Sequence, residues 1–210
     1  RLVFLCSPNN PTGTTCPPDA VERLVTALPP GCLLVLDEVY HHFSANPRAE
    51  FGILGQNVII VHSFSKAYGL AGARLGYGIA LPRIAAEVAK YRLPFHINAL
   101  TFRAGLAALE DEQHVARTVS LMREGRDRLY RELGRLDVAV WPSEANFVLF
   151  KPNVSAEALY EALLRRGVIV RPLSGFYLPE CLRVSAGTED ETDRFVVALK
   201  DALAELGGPS

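Results

Sequence analysis

The sequence predicts an α/β fold, with a mostly parallel sheet and its helices followed by a smaller α+β domain. Short apolar runs in the first half end in polar loops, which is typical of buried strands. Beyond Leu81 the apolar residues recur every three or four positions, which indicates helices. We therefore expect a partial large domain at residues 1–110, a linking helix at 111–135 and a small C-terminal domain at 136–210.

The first half is expected to form four strands and one helix. Pro17 or Pro18 suits a first helical turn, and the helix that follows should stop at Pro29-Pro30-Gly31. The predicted strands are residues 2–6, 32–36, 58–61 and 75–80.

The second half is expected to be mainly helical, with short strands between the helices. Ser155 should cap a helix that ends before Gly167, although the residue three positions on, Ala158, leaves the reciprocal capping box incomplete. The predicted helices are residues 83–91, 99–109, 114–133, 155–166 and 189–206, and the predicted strands are 138–141, 146–150, 168–170 and 182–185.

Composition excludes several classes of protein. Apolar residues make up 49% of the chain and the formal net charge is −1, so a basic nucleic-acid surface is not expected. No apolar run approaches the roughly 18 residues of a membrane helix. The four cysteines show neither CxxC pairing nor zinc spacing, so we expect reduced thiols in the cytoplasm and no metal site.

Lys66 is the first candidate for chemistry. It follows the apolar run 58–61 and a Ser-x-Ser pattern, so its amine should project at the carboxyl edge of the sheet, where open α/β sheets bind ligands. Desolvation in such a pocket favours the neutral, nucleophilic amine. Ser63, Ser65 and Arg74 offer the hydroxyls and guanidinium that a phosphate group requires.

Three further residues follow predicted strands and complete a cofactor-like set. Asp37 could neutralise a protonated pyridine nitrogen, while Asn10 and Tyr40 could hydrogen-bond a phenolic oxygen on the same ring. A ring nitrogen, a ring oxygen, an aldehyde that reacts with an amine and a phosphate together describe pyridoxal 5′-phosphate.

Each candidate also has an ordinary structural interpretation. Asn10 could be a turn residue before proline, Asp37 a helix cap, Tyr40 a half-buried aromatic, and Lys66 or Arg74 a surface charge. Their joint occurrence in order, each after an apolar run, favours the cofactor site.

Five segments of the chain resemble fold-type I, pyridoxal-phosphate-dependent aminotransferases. The resemblance implies that Lys66 is the Schiff-base lysine, that Asp37 pairs with the pyridine nitrogen, and that Asn10 and Tyr40 bind the phenolic oxygen. It also implies that Ser63, Ser65 and Arg74 bind phosphate, that Arg183 grips the acidic group of the substrate, and that Asn146 lies near Arg183. The segments are SPNNPTG (7–13), LDEVY (36–40), SFSKAYGLAGARLGY (63–77), ANFVLF (145–150) and LRVSAGT (182–188).

The C-terminal segment RPLSGFYLPECLRVSAGT is most similar to the histidinol-phosphate aminotransferases. In that subfamily an arginine at the position of Arg171 helps to hold the substrate phosphate. Two arginines twelve residues apart (183 − 171) on neighbouring strands would suit a dianionic phosphate. Alternatively, Arg171 is a solvated charge at the end of a strand.

The resemblance implies transamination of L-histidinol phosphate with 2-oxoglutarate, in histidine biosynthesis, by a homodimer. Lys66, once displaced by the substrate amine, would move a proton from the substrate carbon to the cofactor. The alternatives are an aromatic or other amino-acid aminotransferase, a β-lyase or decarboxylase on the same scaffold, and a non-catalytic ligand-sensing domain of a regulator.

Family members carry an N-terminal arm and further cofactor contacts before the segment at 7–13. We therefore expect a truncated large domain, which alone could be inactive. We also expect an unprotected sheet edge or apolar face that promotes association.

Overall fold

A computed structural model describes residues 1–45 and 57–207, and the chain divides into two compact units. Unit 1 comprises Arg1–Asn9 and Thr15–Val119. Unit 2 comprises Asn10–Thr14 and Ser120–Ser210. The division therefore falls once in the loop after the first strand and once within a long helix.

Unit 1 is built on a four-stranded sheet in which the strands follow their order along the chain. The first three strands are parallel, and the fourth is antiparallel to the third. The mostly parallel sheet expected from the sequence is therefore confirmed. The strands are β1 (Leu2–Cys6), β2 (Leu33–Asp37), β3 (Val58–Ser63) and β4 (Gly76–Ala80).

The reversed direction of β4 brings a further loop to the edge where β1, β2 and β3 end. Gly76, the first residue of β4, is the register partner of Ser63, the last residue of β3. Residues just before β4 therefore lie at the carboxyl edge of the parallel strands, although a wholly parallel sheet would place them at the opposite edge.

The helices of unit 1 are α1 (Pro18–Ala27), α2 (Pro82–Ala89), α3 (Ala99–Glu110) and the first part of α4 (Glu112–Leu133). Proline begins both α1 and α2, where its missing N–H costs no intrahelical hydrogen bond. Val21 and Val25 of α1 pack in one cluster with the buried apolar residues of β2 and β3, which alternate along each strand.

Unit 2 contains an antiparallel sheet with the strand order β5-β6-β8-β7 and its own apolar core. Its strands are β5 (Val138–Val140), β6 (Phe147–Pro152), β7 (Arg171–Pro172) and β8 (Leu182–Ser185). Its helices are the rest of α4, α5 (Ala156–Arg165) and α6 (Glu189–Leu206). The Ser155 hydroxyl caps α5 by accepting the Ala158 N–H, as the sequence predicts.

The strand predicted at residues 168–170 is wrong. Gly167 adopts a left-handed φ of 73°, and the Val168 N–H donates to the Leu163 carbonyl, so this segment closes the C-terminus of α5. The strand begins only at Arg171. Val170 is buried by packing in the unit 2 core, which explains why an apolar run here resembled a strand.

Among the described residues, no helix combines the length and the apolar character needed to cross a bilayer.

Candidate active site

Asp37 ends β2 at the carboxyl edge of the unit 1 sheet. Its carboxylate accepts a hydrogen bond of 3.0 Å from the Val39 N–H, and its backbone carbonyl accepts one of 2.9 Å from the Ser7 N–H. Cys6 is its register partner on β1. Burial and the Asp37 carboxylate raise the pKa of the Cys6 thiol, so this neighbour is a neutral hydrogen-bond donor.

Lys66 lies in the turn that follows β3, between two buried apolar residues. Phe64 and Ala67 are 5% and 0% exposed, while Lys66 itself is half-buried. The Phe64 N–H donates to the Leu75 carbonyl and the Phe64 carbonyl accepts the Leu70 N–H, so Phe64 closes the loop on both sides. The Lys66 Nζ atom lies 5.2 Å from the centre of the Tyr40 ring.

The two serines belong to the same turn. Ser63 is the last residue of β3, and its hydroxyl accepts a hydrogen bond of 3.1 Å from the Ser65 N–H. This bond bends the chain immediately before Lys66. It places both hydroxyl-bearing residues at the edge where β2 also ends.

Arg74 has a backbone conformation that few non-glycine residues adopt. Its φ of 53° and ψ of 45° lie in the left-handed region, at the end of a short 3₁₀ turn over Ala71–Ala73. Its Nη1 donates a hydrogen bond of 2.8 Å to the Ala71 carbonyl, and its side chain is exposed. Because such strain concentrates at ligand-binding sites, the outlier supports a functional role for Arg74.

In unit 2, Asn10 contacts Arg183. The Arg183 Nη1 donates to the Asn10 Oδ1, and the guanidinium carbon lies 4.6 Å from the centre of the Phe147 ring. Gly13 holds this part of the loop, since its carbonyl accepts the Glu144 N–H at 2.7 Å. The structure therefore places Asn10 beside the predicted substrate arginine.

Arg171 and Arg183 lie directly opposite each other. They are register partners on the antiparallel strands β7 and β8. Both line a concave region of about 680 Å³ in unit 2, together with Arg194 of α6. Asn146 comes just before β6, and its backbone carbonyl accepts the Ala186 N–H at 2.9 Å. Guanidinium groups are suited to binding an anionic ligand.

Comparison with known proteins identifies the family. The family model for aminotransferases of class I and II matches residues 1–199. The chain belongs to this family.

Similar aminotransferases include a histidinol-phosphate aminotransferase of Symbiobacterium thermophilum. It is 47% identical over 207 residues, which cover 98% of this chain and 57% of the relative. The chain therefore spans little more than half the length of this curated relative.

Two solved structures share the fold. One is a histidinol-phosphate aminotransferase from Sinorhizobium meliloti in complex with pyridoxal-5′-phosphate, with a TM-score of 0.87 and 32% identity, covering 98% of this chain and 58% of that one. The other is an L-threonine-O-3-phosphate decarboxylase from Porphyromonas gingivalis, with a TM-score of 0.84 and 28% identity, covering 96% and 64%.

Within this aminotransferase chain, the candidate residues fall into two groups. Unit 1 brings six of them to one sheet edge, and the donor set of a carboxylate, an amine, hydroxyls and a guanidinium fits pyridoxal phosphate. The shared binding of a phenolic oxygen by Asn10 and Tyr40 stays a prediction. The unit 1 group is Asp37, Tyr40, Ser63, Ser65, Lys66 and Arg74, and the unit 2 group is Asn10, Asn146, Arg171 and Arg183.

Sequence reasoning missed three polar residues of unit 1. Glu38 and His62 are buried, and Tyr77 lies next to His62. The signal was present, because an ionisable residue within or directly after an apolar strand needs a partner. The sequence alone did not reveal that these residues are partners of one another.

Proposed function

We propose that the complete protein is a pyridoxal-phosphate-dependent aminotransferase that transfers the amino group of L-histidinol phosphate to 2-oxoglutarate. The proposal rests mainly on one observation: Asp37 and the Ser63–Lys66 turn lie at the same edge of adjacent strands. The 47% identity to a histidinol-phosphate aminotransferase supports the choice of substrate.

Bound pyridoxal phosphate would supply an electron sink for the carbon that carries the amino group. Lys66 would anchor the cofactor aldehyde through its amine. Once released by the incoming substrate, the same amine would carry a proton between the substrate carbon and the C4′ atom of the cofactor. Asp37 would hold a proton on the ring nitrogen through its negative charge.

The phosphate-binding residues would orient the cofactor. Ser63, Ser65 and Arg74 would bind its phosphate, with Arg74 supplying the only positive charge among the three. Tyr40, whose ring lies 5.2 Å from the Lys66 amine, would contact the ring oxygen, as would Asn10.

Arg183 and Arg171 would bind the acidic group of the substrate. Their opposed positions on β7 and β8 support binding of a phosphate, since two guanidinium groups can share a dianion. Replacing Arg171 should therefore weaken turnover of histidinol phosphate far more than turnover of phenylalanine. Equal losses for both substrates would favour an aromatic amino-acid aminotransferase.

The decisive experiment is cofactor loading of Lys66→Ala. We expect that the complete protein acquires visible absorbance on addition of pyridoxal phosphate and that its Lys66→Ala variant does not. Lys90→Ala is the matched control, because Lys90 is exposed and forms an ion pair with the exposed Glu87. Visible absorbance in Lys66→Ala equal to that of the unaltered chain would refute Lys66 as the anchor.

A second candidate is decarboxylation of a phosphorylated amino acid. The structural similarity to an L-threonine-O-3-phosphate decarboxylase favours it. Incubating the complete protein with histidinol phosphate and 2-oxoglutarate should produce glutamate. Carbon dioxide release from O-phosphothreonine without glutamate formation would favour the decarboxylase, and cofactor binding without any turnover would favour a ligand-sensing domain.

We further propose a cytoplasmic homodimer for the complete protein. The four free cysteines are consistent with a reducing compartment. Sedimentation of the complete protein tests the assembly, and a monomer at micromolar concentration would contradict it.

A further inference from the structure

A chain of polar side chains links the end of β2 to β3 and β4 in unit 1, and two of its three residues are buried. The His62 Nε2 lies 2.9 Å from the Glu38 Oε2, and the His62 Nδ1 lies 2.9 Å from the Tyr77 hydroxyl. Glu38 and His62 are only 4% and 2% exposed. In such a site each hydrogen bond is strong, and breaking one leaves a buried group without a partner.

The backbone around this chain is also held tightly. The Glu38 N–H donates to the Val61 carbonyl at 3.0 Å, which extends the pairing of β2 with β3 beyond Asp37. The His41 N–H donates to the Glu38 carbonyl at 3.0 Å. A Cβ atom at Gly76 would lie 2.8 Å from the His62 carbonyl oxygen, so β4 approaches His62 closely.

Glu38, His41 and His62 bring potential metal ligands within 4.8 Å of one another. However, the two imidazole rings stack with centres 4.2 Å apart and planes only 28° apart. Their in-plane lone pairs therefore do not converge on one point, as ligation of a single ion requires. The arrangement favours a hydrogen-bonded chain over a metal centre.

We infer that Glu38, His62 and Tyr77 are positioning residues that fix the separation between the Asp37 carboxylate and the Lys66 amine. Glu38 lies between Asp37 and Tyr40 in sequence, and His62 directly precedes the turn that carries Lys66. Side chains of successive strand residues point to opposite faces of the sheet. The Glu38–His62–Tyr77 hydrogen bonds therefore hold these two segments from the face opposite to that of Asp37 and Ser63. This inference rests on the proposed function of Asp37 and Lys66.

The test replaces the buried pair by apolar groups, as in Glu38→Met/His62→Leu. Removing both partners together leaves no buried charge, so we expect the thermal unfolding midpoint to stay near that of the unaltered chain. Each variant of the complete protein is incubated with pyridoxal phosphate, reduced with borohydride and digested, and mass spectrometry measures the fraction of Lys66 that carries the pyridoxyl group.

We expect labelling of Lys66 in the double variant to fall about tenfold to a hundredfold at limiting cofactor, the scale of a misplacement of about 1 Å. The single variant Glu38→Gln should keep most of the labelling that the double variant loses, because the glutamine amide oxygen can still accept a hydrogen bond from His62. Glu87→Gln is the control, since it alters an exposed ion pair of the same unit.

Labelling of a folded double variant at the level of the unaltered chain would overturn the inference and leave the proposed function intact. If the double variant is unfolded, labelling of the Tyr77→Phe variant tests the inference instead, because this substitution removes only a single hydroxyl group. We expect it to lower labelling, and unchanged labelling would overturn the inference. Absence of labelling in the unaltered complete protein would overturn the proposed function and this inference together.

Discussion

Lys66 is positioned by two neighbours that have no reactive group. Phe64 and Ala67 are buried, and the backbone bonds of Phe64 close the loop between β3 and β4. A side chain held between two such anchors loses little freedom when it reacts, which is how a rigid element pre-organises a functional group. The apolar residues within the motif SFSKA therefore contribute to the site as well as the lysine.

Asp37→Asn tests the charge at the ring nitrogen. The amide keeps the size of the side chain but removes the negative charge, so we expect the transamination rate of the complete protein to fall about a hundredfold or more, the scale of losing one pre-organised electrostatic group. Cofactor loading and stopped-flow measurement of the half-reaction separate binding from rate. A rate within twofold of the parent rate would contradict the assignment.

Gly13→Ala tests the loop that holds Asn10. A Cβ atom here would lie 2.0 Å from the Ser143 Oγ, and φ is 77°. We expect a loss of about 2–4 kcal/mol in the free energy of unfolding of unit 2, from left-handed strain and overpacking together. The fluorescence of Trp141, the single tryptophan, reports urea unfolding of this unit.

Two glycines of unit 2 serve as controls for that variant. Gly167 has a φ of 73°, and among the described residues an added Cβ would meet Arg194 alone, at 3.8 Å, so Gly167→Ala should cost about 1–2 kcal/mol from strain alone. An added Cβ at Gly175 would meet no atom of the described part of the chain within 4 Å, so Gly175→Ala should stay within about 0.5 kcal/mol of the parent. If Gly13→Ala is no less stable than Gly167→Ala, the Ser143 side chain moves aside without loss of folding free energy, and the predicted overpacking is contradicted.

At the scale of elements, the start of α6 has the most complete cap. The Thr188 hydroxyl accepts the Glu191 N–H, while the Glu191 carboxylate accepts the Thr188 N–H at 2.8 Å. Two backbone N–H groups at this helix start, which have no partner within the helix, are thereby satisfied. In contrast, α5 has the Ser155 cap without the reciprocal bond, so the two helices form a matched pair within one unit.

Glu191→Gln should show a pH-dependent effect on stability. Hydrogen bonding to the Thr188 N–H lowers the pKa of Glu191 in the folded protein. A carboxylate whose pKa is lower in the folded than in the unfolded protein stabilises the fold at pH values above its unfolded pKa of about 4.3. This contribution is lost as the pH falls through the folded pKa. We expect a loss of about 0.3–1 kcal/mol at pH 7, which disappears in acid.

Urea unfolding followed by Trp141 fluorescence, at neutral pH and in acid, measures this difference. Ser155→Ala is the control, since it should cost about 1 kcal/mol, as capping residues do, with no acidic partner at the third helical position to titrate. An equal effect of Glu191→Gln at both pH values would contradict the role of the carboxylate.

At the scale of the whole molecule, large apolar side chains remain exposed. Phe4 on the edge strand β1 is 70% exposed, and Phe95 between α2 and α3 is 98% exposed. Leu93 and Leu100 are similarly exposed in the same part of the chain. Apolar surface of this kind promotes association, and an edge strand offers unpaired backbone groups.

The 210-residue chain should therefore self-associate as its concentration rises. Phe95→Ser should shift the onset of association to higher concentration in static light scattering, because it removes the most exposed aromatic side chain among the described residues at little cost in packing. Val197→Ser, an exposed apolar position in unit 2, is the control. A monodisperse monomer of the unaltered chain at high concentration would contradict the prediction.

The order of elements could largely be predicted from sequence. The predicted strands at 2–6 and 182–185 match β1 and β8 to the residue, and the predicted helix at 189–206 matches α6. The segment at 168–170 failed because burial after a helix cap produces the same apolar pattern as a strand. The reversal of β4 was not predicted either, since strand direction leaves no signature in so short a run.

By itself, the sequence determined which residue types stand at the ends of which strands, because local periodicity and turn formers depend on neighbours along the chain. Only the tertiary structure decided their partners. Asn10 contacts Arg183, which is 173 residues away, and Glu38, just after β2, contacts His62 on the neighbouring strand β3. Such pairs form through the register of strands and the closure of long loops, and no local pattern encodes either.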